Sequence, residues 1–191
     1  AVTGLTWAAS SVLQRLPVFQ LHQVVVDGRI EQVTLAQLEQ ATRIALTGNF
    51  FTIDLDGARA AYEKLPWVRR AEVRRRWPDA LDLRIEEHEA VARWKQADGE
   101  SRLVNGYGEV FAAASETELP VFAGPEGSAP LVLARFREFE RTLAALGRKP
   151  ERVVLSSREA WQLKLDDGIV LELGRDEAKH PLDERLARFV A

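Results

Sequence analysis

Residues 65–86, LPWVRRAEVRRRWPDALDLRIE, constrain the fold more than any other stretch of this chain. Pro66 lacks a backbone donor and clashes with a preceding helical turn, so an upstream helix ends before it. A strand then runs to Trp77, Pro78-Asp79-Ala80 turns, and a second strand alternates Leu81, Leu83 and Ile85 with Asp82, Arg84 and Glu86. Period-two patterning on both arms predicts a β-hairpin with one buried and one wet face. The buried face needs a layer to pack on, and the chain before it supplies one.

Residues 1–17 are small, polar and weakly patterned and read as a linker, with a short helix over 11–16. Phe19, Leu21, Val24, Val25 and Val26 form a strand that Asp27-Gly28 turns. Thr34 with Gln37 three positions on is a capping box. It opens a helix with Leu38, Ala41 and Ala45 on one face and Gly48 as its C-cap. Asp54 caps a second helix with Leu55, Ala58, Tyr62 and Leu65 on one stripe. Two amphipathic helices against a three-stranded sheet, in the order β-α-α-β-β, make a domain over residues 18–88.

Residues 89–191 read as a second, mostly antiparallel β domain with packed helices, so the chain is α+β. Val91-Ala92-Arg93-Trp94 is a strand, and Asn105-Gly106 and Gly108 turn between Leu103-Val104 and Val110-Phe111. Residues 124–127 form a loop. A helix over 130–146 places Val132, Phe136, Phe139, Leu143 and Leu146 on one stripe and ends at Gly147. A strand covers 152–155. A hairpin follows, with Trp161, Leu163 and Leu165 going out, Asp167-Gly168 turning, and Ile169, Leu171 and Leu173 returning. A last helix carries Leu182, Leu186 and Phe189. The chain stops in that helix without a cap and begins without Met, which leads us to expect more sequence at both ends. A sheet lacking its last strand would expose an unpaired edge.

The chemistry the sequence offers is sparse. Cysteine is absent, which excludes disulfides, thiolate metal sites and a cysteine nucleophile. His22, His88 and His180 have no metal-ligand spacing. Ser156-Ser157 lies in no nucleophile elbow. Asp54/Asp56 sits where acids cap a helix, and Asp166/Asp167 sits in a hairpin turn, so neither pair requires catalysis to explain it. Asn105-Gly106-Tyr107-Gly108 lacks the third glycine and following helix of a phosphate loop. We therefore expect no enzyme and no cofactor. The net charge of −3 argues against a nucleic-acid partner. The basic run Arg69, Arg70, Arg74, Arg75, Arg76 reads as a solvated strand face partly paired with Asp82 and Glu86, or as an edge for an acidic partner. Trp67, Trp77, Trp94 and Trp161 read as core or domain-interface residues rather than as a ligand cage.

The pair Leu65-Pro66-Trp67-Val68 and Arg76-Trp77-Pro78-Asp79, inside a β-α-α-β-β unit, resembles a POTRA domain of one type. It is similar to that of the bacterial cell-division family FtsQ, called DivIB in Gram-positive bacteria. The likeness continues through Asn49-Phe50-Phe51, Val91-Ala92-Arg93-Trp94, Gly124-Pro125-Glu126-Gly127-Ser128, Trp161-Gln162-Leu163, Leu173-Gly174-Arg175 and the run from Arg185 to Val190, in order. The pattern is of the proteobacterial branch.

The resemblance implies a protein of the inner membrane at the division septum. One upstream membrane helix would leave this region in the periplasm, with residues 7–16 near the membrane exit. It implies a non-enzymatic scaffold that binds FtsB and FtsL and links to septal peptidoglycan synthesis by FtsW and FtsI, with FtsK a further contact. In the family, FtsB adds a strand to the last strand of the sheet and uses an arginine before the Trp-Gln-Leu strand. The matching position is Arg158, and Trp161 and Arg175 also match family motifs. After Phe189-Val190 the family continues through a Tyr-Pro segment to a final strand that this sequence does not contain. Glu72, Arg74 and Arg76 on the polar hairpin face are the candidate recruitment edge of the POTRA domain. The alternative is a POTRA-type periplasmic chaperone module of outer-membrane protein insertion or secretion. That class carries several POTRA units before a barrel, whereas one unit is seen here.

Overall fold

The structure, a computed structural model, describes residues 21–190 except 22, 29, 49 and 96–100. The linker over 1–17, the helix over 11–16, Phe19 as a strand residue, His22 and Asn49 lie outside the described residues. The chain divides into two compact units, Ala1–His88 and Glu89–Ala191.

In the first unit β1 (Gln23–Asp27), α1 (Leu35–Ala45), α2 (Leu55–Glu63), β2 (Val68–Arg76) and β3 (Ala80–Glu87) follow in chain order. The sheet order is β1-β3-β2, with β1 parallel and β2 antiparallel to the central β3. The α1 capping box forms as the sequence predicts: Gln37 N–H donates to Thr34 Oγ1 at 3.2 Å, and Thr34 N–H donates to Gln37 Oε1 at 2.9 Å. Asp54 Oδ1 likewise accepts from Asp56 and Gly57 N–H. Leu38, Ala41, Ala58 and Tyr62 pack with Val68, Ala71, Leu83 and Ile85 in one core. The Tyr62 hydroxyl is fully buried and meets Thr42 Oγ1 at 2.7 Å.

Three details depart from the sequence reading. Helix α1 is capped by Leu46, not by Gly48, which instead adopts φ +111° in the following loop. Alternation on β2 is broken at its start, where a bulge at Arg69 sets Val68 and Ala71 on the same buried face. From Ala71 onward the parity holds, and Arg75 falls on the core side opposite Leu81. Arg75 resolves that conflict by turning onto the loop before α2, its Nε donating to Phe50 O at 2.8 Å and Nη2 to Ile53 O at 2.9 Å. Glu87 has a role that no sequence pattern marked. Its carboxylate accepts from the backbone N–H groups of Glu31, Gln32 and Val33 and so holds the turn that enters α1.

The second unit contains β4 (Ala90–Lys95), β5 (Ser101–Asn105), β6 (Val110–Phe111), β7 (Val121–Ala123), α3 (Ala129–Leu143), β8 (Pro150–Leu155), β9 (Ala160–Leu165), β10 (Val170–Arg175) and α4 (Leu182–Val190). They form one sheet of order β10-β9-β8-β7-β4-β5-β6. The outer pairs are antiparallel, and β7 joins the halves by pairing parallel to β4 and β8. Strand β7 was not foreseen. Its three residues lie between Pro120 and Gly124, too short to show a period, and Phe122 is fully buried because the strand is central. Helix α3 lies over β7 and β8, and α4 over β10. Their Val132, Phe139, Leu143, Leu182 and Leu186 join Trp94, Val153, Trp161, Leu163 and Leu165 in the core. α3 stops at Leu143, a 3-10 turn follows, and Gly147 closes it at φ +65°. Leu146, Ile169 and Phe189, expected on buried stripes, are exposed because each lies at or beyond the packed part of its element.

Candidate partner-binding surface

β10 is one of the two edges of the large sheet and, among the described residues, pairs only with β9. Its sequence, VLELGR, leaves Val170 half exposed and Leu171 partly buried. An unpaired edge offers a row of backbone donors and acceptors to an added strand. Near its C-terminal end a bulge between Glu172 and Gly174 bends the strand, and Gly174 takes φ +71°, a conformation that favours glycine.

The family-matched arginines gather at that end. Arg158 lies in the turn before β9 and is exposed. Its carbonyl accepts from Arg175 Nε at 2.8 Å, which locks the β8–β9 turn to the end of β10. Neither guanidinium has an ion-pair partner among the described residues. Two cations beside an open edge present charge to a carboxylate. Trp161 is different. Its ring is 3% exposed and meets Phe139 edge-on, with centroids 6.2 Å apart. The alternation of β9 sends it into the core, so its side chain supports the surface and offers no contact to a partner.

Sequence reasoning missed what holds this end in place. Arg185 of α4 donates to the carbonyls of Leu173, Arg175 and His180 and so ties the helix to the end of β10. Arg135 of α3 pairs with Glu138 at 2.6 Å, with Asp176 just after β10, and with Asp183 of α4 at 3.8 Å. Burial alone would lower the Arg135 pKa, but these three carboxylates outweigh it and raise the pKa above the usual value. Asp176 also caps α4 by accepting from Leu182 N–H at 3.2 Å. Apart from the local Arg135–Glu138 pair, these contacts join positions 5–48 residues apart in sequence, which leaves no periodic signal.

Glu72, Arg74 and Arg76 face solvent on the small sheet, opposite Arg84, Asp82 and Ala80. They share that face with Val25 and Asp27 of β1. Their charges are internally matched: Arg74 pairs with Glu72 at 3.2 Å and Arg76 with Asp82 at 3.4 Å. Arg69 pairs with Glu86 at 2.7 Å, as the sequence predicts for this hairpin. Trp77, expected to be buried, is 77% exposed, because it stands in the turn beyond the last ladder pair, with none of the described residues packed over it.

The polar clusters elsewhere serve the backbone. Asn105 Oδ1 accepts from Tyr107 and Glu109 N–H, which builds the β5–β6 turn. Asp167 accepts from Ile169 N–H and pairs with Arg148 at 3.1 Å. Among the described residues no group of His, Asp and Glu is arranged to hold a metal. No described helix is long and apolar enough to cross a membrane.

Comparison with known proteins agrees with this architecture unit by unit. Residues 19–88 match the POTRA domain of FtsQ type, and residues 92–191 match the C-terminal region of cell division protein FtsQ/DivIB. The chain is 42% identical to a cell division protein FtsQ of Burkholderia pseudomallei, over all of this chain and 74% of that protein. It is 41% identical to the FtsQ of Nitrosospira multiformis over 92% of this chain and 73% of the relative. Against the FtsQ of Neisseria meningitidis the identity is 36%, over 92% of this chain and 72% of the relative. With both units matched in order and proteobacterial relatives covered over most of their length, the chain belongs to the FtsQ/DivIB family of cell-division proteins.

Proposed function

We propose that this protein is a non-enzymatic scaffold of the division machinery, held in the inner membrane by an upstream helix, with both units in the periplasm at the septum. It binds FtsB and FtsL through the second unit. Through them it connects to septal peptidoglycan synthesis by FtsW and FtsI, and FtsK is a further contact. The observation that carries this reading is the open edge of β10, with Arg158 and Arg175 at its end and, among the described residues, no carboxylate paired with either. The sheet can grow outward from such an edge by a strand of FtsB. The two arginines select an acidic partner segment. The match of residues 92–191 to the FtsQ/DivIB C-terminal region, rather than to a further POTRA unit, favours the scaffold over a chaperone array. The test is FtsB binding by the full-length protein. Binding weakened strongly by Arg158→Glu supports the site. Tight binding indifferent to Arg158→Glu removes it, and no binding removes the partner.

A further inference from the structure

One end of the first unit has features that partner binding through β10 leaves unused. β1 runs parallel to β3 with Gln23 beside Ala80, so the chain enters the unit at the end where β2 turns into β3. At that turn Trp77 is 77% exposed. The loop after α1 reaches the same end, because Arg75, one ladder step below the turn, holds the carbonyls of Phe50 and Ile53. Phe51 in that loop is 49% exposed, and Ile44 in the last turn of α1 is 70% exposed. Leu21, Gly48 and Ile53 line a common hollow, which places the entering chain directly beside the loop.

Large exposed apolar side chains that converge on one end of a small unit call for a cover. Their chemistry and position suit a lipid surface. Tryptophan prefers the headgroup layer, where its ring is half in hydrocarbon and its N–H is in water. Arg74 and Arg76 flank Trp77 in solvent-exposed pairs of 3.2 and 3.4 Å, which a phosphate can share at little cost. We propose that this end of the first unit rests against the bilayer, with Trp77 and Phe51 seated among the headgroups. The proposal rests on the membrane-anchor reading above. A chain arriving from a bilayer arrives beside Leu21, at the aromatic end, and the anchor therefore chooses which end faces the lipid.

The unit carries its own control, because Trp67 lies just before β2 and Trp77 just after it, about 30 Å apart by strand rise. The test uses the full-length protein with Trp7→Phe, reconstituted in vesicles of phosphatidylethanolamine and phosphatidylglycerol with brominated acyl chains. Trp77→Phe is expected to lower the lipid-dependent quenching of tryptophan emission by about two-fold or more, whereas Trp67→Phe leaves it unchanged. Near-UV circular dichroism of Trp77→Phe checks that the fold survives. Protein that floats with the vesicles, keeps its native spectrum and shows quenching indifferent to Trp77→Phe overturns the proposal alone. Protein that fails to float overturns the anchor reading, and the proposal with it. Trp77 that is shielded from aqueous quencher only after FtsB is added assigns this end to a protein and likewise overturns the lipid contact.

Discussion

Along β2, an edge of the small sheet, six of nine residues are charged, whereas on β10, an edge of the large sheet, two of six are. The charges on and around β2 are largely used within the unit. Arg69, Arg74 and Arg76 have carboxylate partners, and Arg75 is spent on loop carbonyls. Dense charge also guards an edge, since a strand added there must pass a row of hydrated guanidiniums. β10 has no such guard. α4 reaches over one end of it through Arg185, and the two arginines nearby have no carboxylate partner among the described residues. The two edges thus differ in kind: β2 carries its own row of charge, and β10 is the edge that the proposed partner strand would extend.

Five substitutions can break or sharpen that contrast. The largest effect is expected from Trp161→Ala, which empties a core site against Phe139 and should destabilise the second unit by about 3–5 kcal/mol in urea unfolding. If the change costs almost nothing, β9 is not the rigid support that the β10 edge requires. Arg158→Glu should weaken FtsB binding by roughly 10–100-fold through charge reversal at a bidentate site, and Arg74→Glu by less than about two-fold. Equal losses from the two would erase the distinction between the edges.

Within the first unit, Asp54→Ala removes the acceptor for two helix N–H groups and should lower stability by about 1 kcal/mol, read from thermal unfolding. Tyr62→Phe should cost about 1 kcal/mol or less near neutral pH through loss of its hydroxyl contact. It should also change the alkaline limb. Burial raises the Tyr62 pKa above its ordinary value of 10.0, the Thr42 hydrogen bond acting in the opposite sense. The folded state therefore keeps its proton where the unfolded state loses it. This contribution is complete below pH 10 and is lost as pH rises through the folded pKa. The wild type should destabilise more steeply above pH 10 than Tyr62→Phe in urea titrations at stepped pH, and parallel curves would contradict it.

The local signals in the sequence were strong where one element decides its own geometry. Thr34-Gln37, Asp54 and Gly147 act as caps where the sequence puts them, since capping is settled within a few residues. Leu81, Leu83 and Ile85 are buried, as their period requires. β7 escaped because three residues carry no period. Trp77 misled because ring size predicts burial only where something packs above it. Of the family-matched site residues, Trp161 could not be separated by motif from Arg158 and Arg175, although its place in the β9 alternation already pointed inward.

By itself the sequence determined the order of strands and helices apart from β7, most caps, the hairpin faces and the family. Each of these is set by spacing along a few turns or rungs, or by motifs in order. Only the tertiary structure decided which strands are edges, and which arginines are consumed by carbonyls and carboxylates. It also decided which end of the first unit collects Trp77, Phe51 and Ile44. Those properties depend on pairings such as Gln23 with Ala80 and Arg75 with Phe50, which packing creates and no local pattern encodes.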